Sequence, residues 1–139
     1  MKIKKLNHDA IMPTKGTEYA GAFDIYMPED GIITGFTSKF PLGFSTEIPP
    51  YYVAMMLPRS SAGANYGIEL ANTCGVIDSD YRGEWIAALR TKNKEFYSFK
   101  KGDRLLQFLI VPVPRIELEI VDELEQSERG SGGLGSTGK

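Results

Sequence analysis

Two carboxylates two residues apart, Asp78 and Asp80, stand in the segment Gly75-Val-Ile-Asp-Ser-Asp-Tyr-Arg-Gly83, with Tyr81 directly behind them. In a strand or hairpin, side chains two apart face the same way. The flanking pairs Val76-Ile77 and Trp85-Ile86 imply a partly buried setting. A partly buried aspartate beside a metal–phosphate group is a candidate general base; the plain alternative is a solvated Asp-rich turn. Upstream, Pro58-Arg-Ser-Ser-Ala-Gly63 sets Arg59, Ser60 and Ser61 at the start of a short helical turn. Such N–H groups and hydroxyls suit a phosphate, although a serine there can simply cap the helix.

Two further polar residues sit inside apolar runs. Asp24 lies between Phe23 and Ile25, so its side chain points away from theirs. It is either a solvent-facing strand residue or an outer-shell partner for Mg²⁺, an ion that often keeps several waters. Gln107 is the only polar residue in residues 105–111. A buried amide must be hydrogen-bonded, so it ties down backbone or reaches a ligand. The last eleven residues, from Arg129 to Lys139, hold five of the 15 glycines and have almost nothing to bury. Unhindered backbone N–H groups and a guanidinium suit a phosphate; a solvated tail is the default for such a terminus.

The inventory narrows the chemistry. One histidine, His8, and one cysteine, Cys74, cannot make a Cys/His zinc site. His8 sits in a polar N-terminal stretch, a poor setting for a nucleophile–base pair. Chemistry must rest on carboxylates, hydroxyls, arginines and an oxygen-bound metal. A net charge of −2 gives no sign of nucleic-acid binding. A lone cysteine and the lack of an apolar N-terminal stretch predict a soluble, cytoplasmic protein with no membrane partner.

The elements that must position these residues are short strands with frequent turn signals, and 139 residues make one domain. Strands are expected at 3–6, 22–26, 42–48 with alternating pattern, 52–57 buried on both faces, 84–90, and 105–111. The polar turn 91–94 predicts that 95–99 returns as the second arm of a hairpin. Residues 60–65 allow one short helical turn, and no longer amphipathic helix is evident. The fold class is therefore all-β, a compact barrel or double-sheet jelly roll. Residues 117–128 leave it as a charged, partly extended arm.

Taken in order, Ala20-Gly-Ala-Phe-Asp-Ile25, Pro58-Arg-Ser-Ser-Ala-Gly63, Asn72-Thr-Cys-Gly-Val-Ile-Asp-Ser-Asp-Tyr-Arg-Gly83, Gly102-Asp-Arg-Leu-Leu-Gln107 and Arg129-Gly-Ser-Gly-Gly-Leu-Gly-Ser-Thr-Gly138 resemble the five motifs of the trimeric dUTP diphosphatase (dUTPase) family. The resemblance covers nearly the whole chain. It implies a jelly-roll (β-clip) homotrimer with active sites shared between subunits. The activity implied is Mg²⁺-dependent hydrolysis of dUTP to dUMP and pyrophosphate, which keeps uracil out of DNA and supplies dUMP for dTMP synthesis.

By the same resemblance, Asp78 activates the water that attacks the α-phosphorus. Tyr81 packs under the deoxyribose. Asn72, Val76, Ile77 and Ile86 belong to the hairpin that meets uracil. Arg59, Ser60, Ser61 and Gln107 contact phosphates. Arg129, Gly135, Ser136 and Thr137 close a lid, with Leu134 over the base where the family usually has phenylalanine. Asp24 holds Mg²⁺ through water. The body is then 1–116, the crossing arm 117–128 and the glycine-rich lid 129–139. A deaminase on the same fold and a nucleotide-gated regulatory protein are the competing readings. The first is disfavoured by Asp78 and Tyr81 in the diphosphatase pattern, and a dead enzyme by retention of Asp78 and the last motif.

Overall fold

A computed structural model of the protein describes residues 1–92 and 95–133. Among these the strands are β1 (Lys2–Lys5), β2 (Thr14–Lys15), β3 (Phe23–Ile25), β4 (Gly31–Thr34), β5 (Ser38–Pro41), β6 (Phe44–Glu47) and β7 (Tyr52–Pro58). One helix, α1 (Ser60–Tyr66), follows, and then β8 (Ile68–Leu70), β9 (Gly75–Ile77), β10 (Ile86–Thr91), β11 (Phe96–Phe99) and β12 (Leu106–Pro112). The expected all-β class is what forms. Every strand pairing is antiparallel. The largest sheet has the order β2-β3-β12-β7-β9, and β5-β10-β8 forms a second layer.

The two most apolar segments, β7 and β12, pair along their whole length, from Leu106 opposite Pro58 to Pro112 opposite Tyr52. Their inner face carries Ala54, Met56, Leu106 and Phe108, all buried. The outer face, with Val53, Met55 and Leu57, is only half-buried in one chain. The expectation of burial on both faces is corrected to that extent: among the described residues the second face is left partly open.

The core centres on Trp85, fully buried and packed between Phe44 at 5.2 Å and Phe108 at 5.0 Å. Its indole N–H donates to Thr46 Oγ1 at 3.1 Å. That bond explains why Thr46 is buried in a strand expected to alternate: a polar group inside needs its partner. Residues 44–46 are consecutively buried, so β6 departs from strict alternation, while β1 pairs along its edge.

The hairpin expected across 91–94 does not form. β11 pairs with β4, not with β10, which lies between β5 and β8. Residues 95–99 alternate between exposed and buried, a pattern that suits either partner, so local pattern does not choose between them.

Candidate active site

Between β8 and β9 the chain makes a tight turn. Thr73 N–H donates to the Leu70 carbonyl at 2.9 Å and Ala71 N–H to the Ala88 carbonyl at 2.8 Å. β9 then runs beside β7, with Val76 opposite Met55 and Ile77 opposite Ala54. Asp78 ends the strand. Its carbonyl accepts Tyr81 N–H at 3.2 Å, so the chain doubles back. The Tyr81 hydroxyl donates to the Glu84 carbonyl at 3.1 Å, which fixes the ring over the turn. These residues enclose a cavity of about 160 Å³ lined by Val76, Ile77, Asp78, Tyr81, Glu84 and Ile86.

Five of the six lining residues are ones the sequence nominated. Asn72 is exposed at the preceding turn and does not line the cavity. Glu84 is the addition. Its Oε1 accepts Gly43 N–H at 2.9 Å, which ties the pocket to the start of β6. The signal for it was its place directly before a tryptophan in an inward–outward alternation.

Asp78 and Asp80 are exposed, contrary to the expected partly buried setting. Val76 is 59% and Ile86 45% exposed, while Trp85 is fully buried. Trp85 points into the core, and the alternation of an extended chain therefore turns Glu84 and Ile86 outward. Asp78 also lines a wider groove of about 920 Å³ with Tyr51, Val76, Asp80, Val113 and Arg115.

The residues expected to meet phosphates gather where β3, the end of β7 and the start of β12 converge. Gln107 lies opposite Asp24 on one side and Leu57 on the other. Its Nε2 donates to the Pro58 carbonyl at 3.3 Å, so this amide holds backbone. Arg59 N–H donates to the Leu105 carbonyl at 2.9 Å, which locks the exit of β7. Ser60 and Ser61 follow as exposed residues of α1. The helix cap is Arg59, without a side-chain bond, so the serine N-cap is not formed. α1 stops after seven residues because Gly67 turns left-handed (φ +66°) and donates to the Ala62 and Gly63 carbonyls.

Asp24 is not a solvent-facing residue. It is 8% exposed, with Oδ1 3.0 Å from Arg59 Nε and Oδ2 3.0 Å from Arg104 Nη1. Arg104 was not assigned a role from sequence. The signal available was a charged residue inside the fourth motif. Its partner lies 80 positions away. Among the described residues no three His, Cys, Asp or Glu side chains gather into a metal-binding group. With both oxygens on arginines, Asp24 would suit a divalent cation only from the outer shell, through water.

The small cavity has none of Asp24, Arg59, Ser60, Ser61 or Gln107 in its lining. Arg129 is exposed, and its Nε donates to the carbonyl of nearby Gly132 at 2.9 Å. Between the body and Arg129, residues 113–126 carry no regular structure, and Ile116, Leu118 and Ile120 are 73%, 94% and 100% exposed. Leu134, Gly135, Ser136 and Thr137 lie outside the described residues. No described helix is long and apolar enough to cross a membrane.

The dUTPase family model matches residues 8–138. A deoxyuridine 5'-triphosphate nucleotidohydrolase of Nautilia profundicola is 43% identical over 140 residues, covering 100% of this chain and 99% of the relative. One from Dictyoglomus turgidum is 41% identical over 143 residues, covering 98% and 96%. Among solved structures, the dUTPase of Staphylococcus bacteriophage 80alpha with dUPNHPP superposes with a TM-score of 0.90 at 24% identity, covering 99% of this chain and 98% of that one. A dUTPase variant from phage phi11 of S. aureus, described for its coordination of a structural Mg(II) ion, superposes with a TM-score of 0.80 at 20% identity, covering 90% and 98%.

Proposed function

The chain belongs to the dUTPase family and is a dUTP diphosphatase, and we propose that it works at a site assembled from more than one copy of itself. The observation that carries this reading is the Tyr81 cavity. Ligand pockets usually measure about 300–1,000 Å³, so a space of about 160 Å³ takes only part of a nucleotide. Its lining includes no cation, yet a triphosphate needs several. The base and sugar occupy this cavity, and the phosphates run out to Arg59, Ser60, Ser61 and Gln107 of a neighbouring copy.

In this arrangement the Tyr81 ring closes the sugar side and leaves no space for a 2′-hydroxyl. Val76, Ile77 and Ile86 wall the base, and the Asn72 turn supplies polar atoms to its edge. Asp78, at the mouth, orients a water toward the α-phosphorus. The water oxygen bonds to phosphorus, its proton passes to the Asp78 carboxylate, and the bond to the β-phosphate oxygen breaks. dUMP and pyrophosphate result. Mg²⁺ bound with the triphosphate would neutralise phosphate charge, and Asp24, whose oxygens hold Arg59 and Arg104, would serve it only through water.

The half-buried outer face of β7 and β12 supports a homotrimer, because a second copy would cover it. So does the arm, residues 117–128. Its Leu118 and Ile120, with Ile116 before them, alternate at strand spacing and are largely exposed among the described residues. Crossing to a neighbour, the arm delivers Arg129 and the lid residues Leu134, Gly135, Ser136 and Thr137 over the bound nucleotide. The protein acts in the cytoplasm. The deaminase reading is weaker at Glu84, the one glutamate in the cavity, whose carboxylate is taken by Gly43 N–H.

The test is incubation with dUTP, UTP and dCTP and Mg²⁺, with assays for pyrophosphate and ammonia. Pyrophosphate from dUTP alone is expected. Ammonia from dCTP would identify a deaminase instead.

A further inference from the structure

We propose that Arg104 is a second phosphate-binding arginine of this site and that Asp24 is the positioning residue for both Arg59 and Arg104. The inference rests on the functional reading above and names residues that reading leaves without this role. Asp24 is nine-tenths buried, and each carboxylate oxygen takes a different arginine, both at 3.0 Å. Among the described residues, neither arginine has any other carboxylate partner. Two cations on one anion leave a surplus positive charge at a partly buried place. That charge is available to an anion through guanidinium N–H groups that Asp24 does not use.

The donors are free to bind it. A guanidinium carries five N–H groups. Among the described residues Arg104 uses only Nη1, and Arg59 uses Nε on Asp24 and Nη1 on the Arg104 carbonyl at 3.4 Å. Their side chains are 44% and 29% exposed, against 11% for Asp24. The carboxylate is thus the most buried part of the cluster, and both arginine side chains are more open to solvent. The backbone before Arg104 is fixed as well. The Asp103 carbonyl accepts Met27 N–H at 2.9 Å, and Asp103 Oδ2 accepts Lys100 N–H at 2.8 Å. A side chain launched from anchored backbone and held by a buried carboxylate is pre-organised for planar, two-pronged contact with phosphate oxygens.

The experiment is calorimetric titration of the full-length protein with dUMP and with a non-hydrolysable dUTP analogue plus Mg²⁺. The proteins are wild type, Arg104→Gln, Arg104→Lys, Asp24→Asn and the Asp24→Asn/Arg104→Gln double variant, each with a Tm. Arg104→Gln should weaken the analogue about 10-fold or more, the size of lost charge-assisted hydrogen bonds, while dUMP affinity changes much less. Arg104→Lys, which keeps a charge on Asp24, should recover part of the loss. Asp24→Asn should weaken the analogue too, and in its background Arg104→Gln should cost less than it does alone. Analogue binding by Arg104→Gln at the wild-type level would overturn the proposal. So would equal losses for dUMP and analogue with a fallen Tm that Arg104→Lys restores together, since that is a purely structural arginine. Wild-type protein that binds neither ligand would overturn the functional reading itself, and this inference with it.

Discussion

The ring of Tyr81 occupies the space in which residue 83 would carry a side chain: a Cβ on Gly83 would lie 2.3 Å from the Tyr81 hydroxyl oxygen and 2.5 Å from Cζ. The absence of a side chain at Gly83 is therefore what lets the Tyr81 ring take this position. In Gly83→Ala the backbone on one side is anchored by Trp85, whose N–H donates to the Phe44 carbonyl at 3.0 Å, so the tyrosine ring must move. Activity on dUTP should fall between about 10- and 100-fold, the usual effect of a misplacement near 1 Å. The ratio of kcat/KM for dUTP over UTP should fall as well, and in Tyr81→Ala it should fall further. An unchanged ratio in both variants would mean the sugar is selected elsewhere.

Asp78→Asn tests the proton acceptor. The side chain is exposed and, among the described residues, makes no hydrogen bond or ion pair, so its loss leaves packing intact. Turnover should drop by roughly 10²–10⁴, the usual contribution of a general base. Affinity for a dUTP analogue and Tm should stay near wild type. Near-normal turnover in the purified variant would remove Asp78 from that role.

Glu69 gives a pH signature distant from the chemistry. It joins β8 to β10, with Lys92 Nζ 2.6 Å from Oε2 and Arg90 Nε 2.6 Å from Oε1. Lys92 first, then Arg90, holds its carboxyl below the ordinary value of 4.5. The unfolded chain binds that proton more readily than the folded one. The pair's contribution is therefore complete above the unfolded value and is lost as pH falls through the folded one. Glu69→Gln should lower Tm slightly at pH 7, as exposed ion pairs are weak. The gap between variant and wild type should close as pH falls from the ordinary carboxyl value of 4.5 through the lower folded value, and a gap that stays constant would assign the effect to packing.

What was legible in the sequence divides along the range of the interaction. β7 and β12 were readable because each is a short apolar run closed by proline, a length and boundary that favour a buried strand over a helix. Asp78, Tyr81 and Ile86 were readable because their pocket is built from one contiguous stretch. Asp24 was readable as a polar residue out of pattern, but not as buried, because the two arginines that cover it come from elsewhere in the chain. Arg104 and Glu84 were missed for the same reason: what makes each notable is a partner, Asp24 or Gly43, outside its own motif. The β4–β11 pairing was hidden because an alternating strand carries no mark of its neighbour.

Leu134 tests the lid. Leu134→Phe should tighten a dUTP analogue, since base–aromatic stacking is worth about 1–3 kcal/mol in single-strand binders. A leucine over the base would already give apolar contact, so a gain of about 0.5–1.5 kcal/mol is expected. The gain should appear in KM or analogue affinity rather than in kcat. Analogue binding at or below the wild-type level would place residue 134 away from the base.

Sharing of the site between copies has a test that needs no structural method. Asp78→Asn removes the proton acceptor and leaves Arg59 intact; Arg59→Ala removes a phosphate contact and leaves Asp78 intact. Each should be nearly inactive alone. If Asp78 and Arg59 of one site come from different copies, mixed assemblies contain sites in which both native residues meet. Unfolded together and refolded at equal amounts, the variants combine at random, and about a quarter of sites should then be whole under closed cyclic symmetry. Activity should rise from near zero toward that fraction of wild type. Mixing without refolding should give little, because folded assemblies do not exchange until they dissociate. A refolded mixture that stays as inactive as its parents, with the assembly intact by sedimentation, would place Asp78 and Arg59 of each site in the same chain.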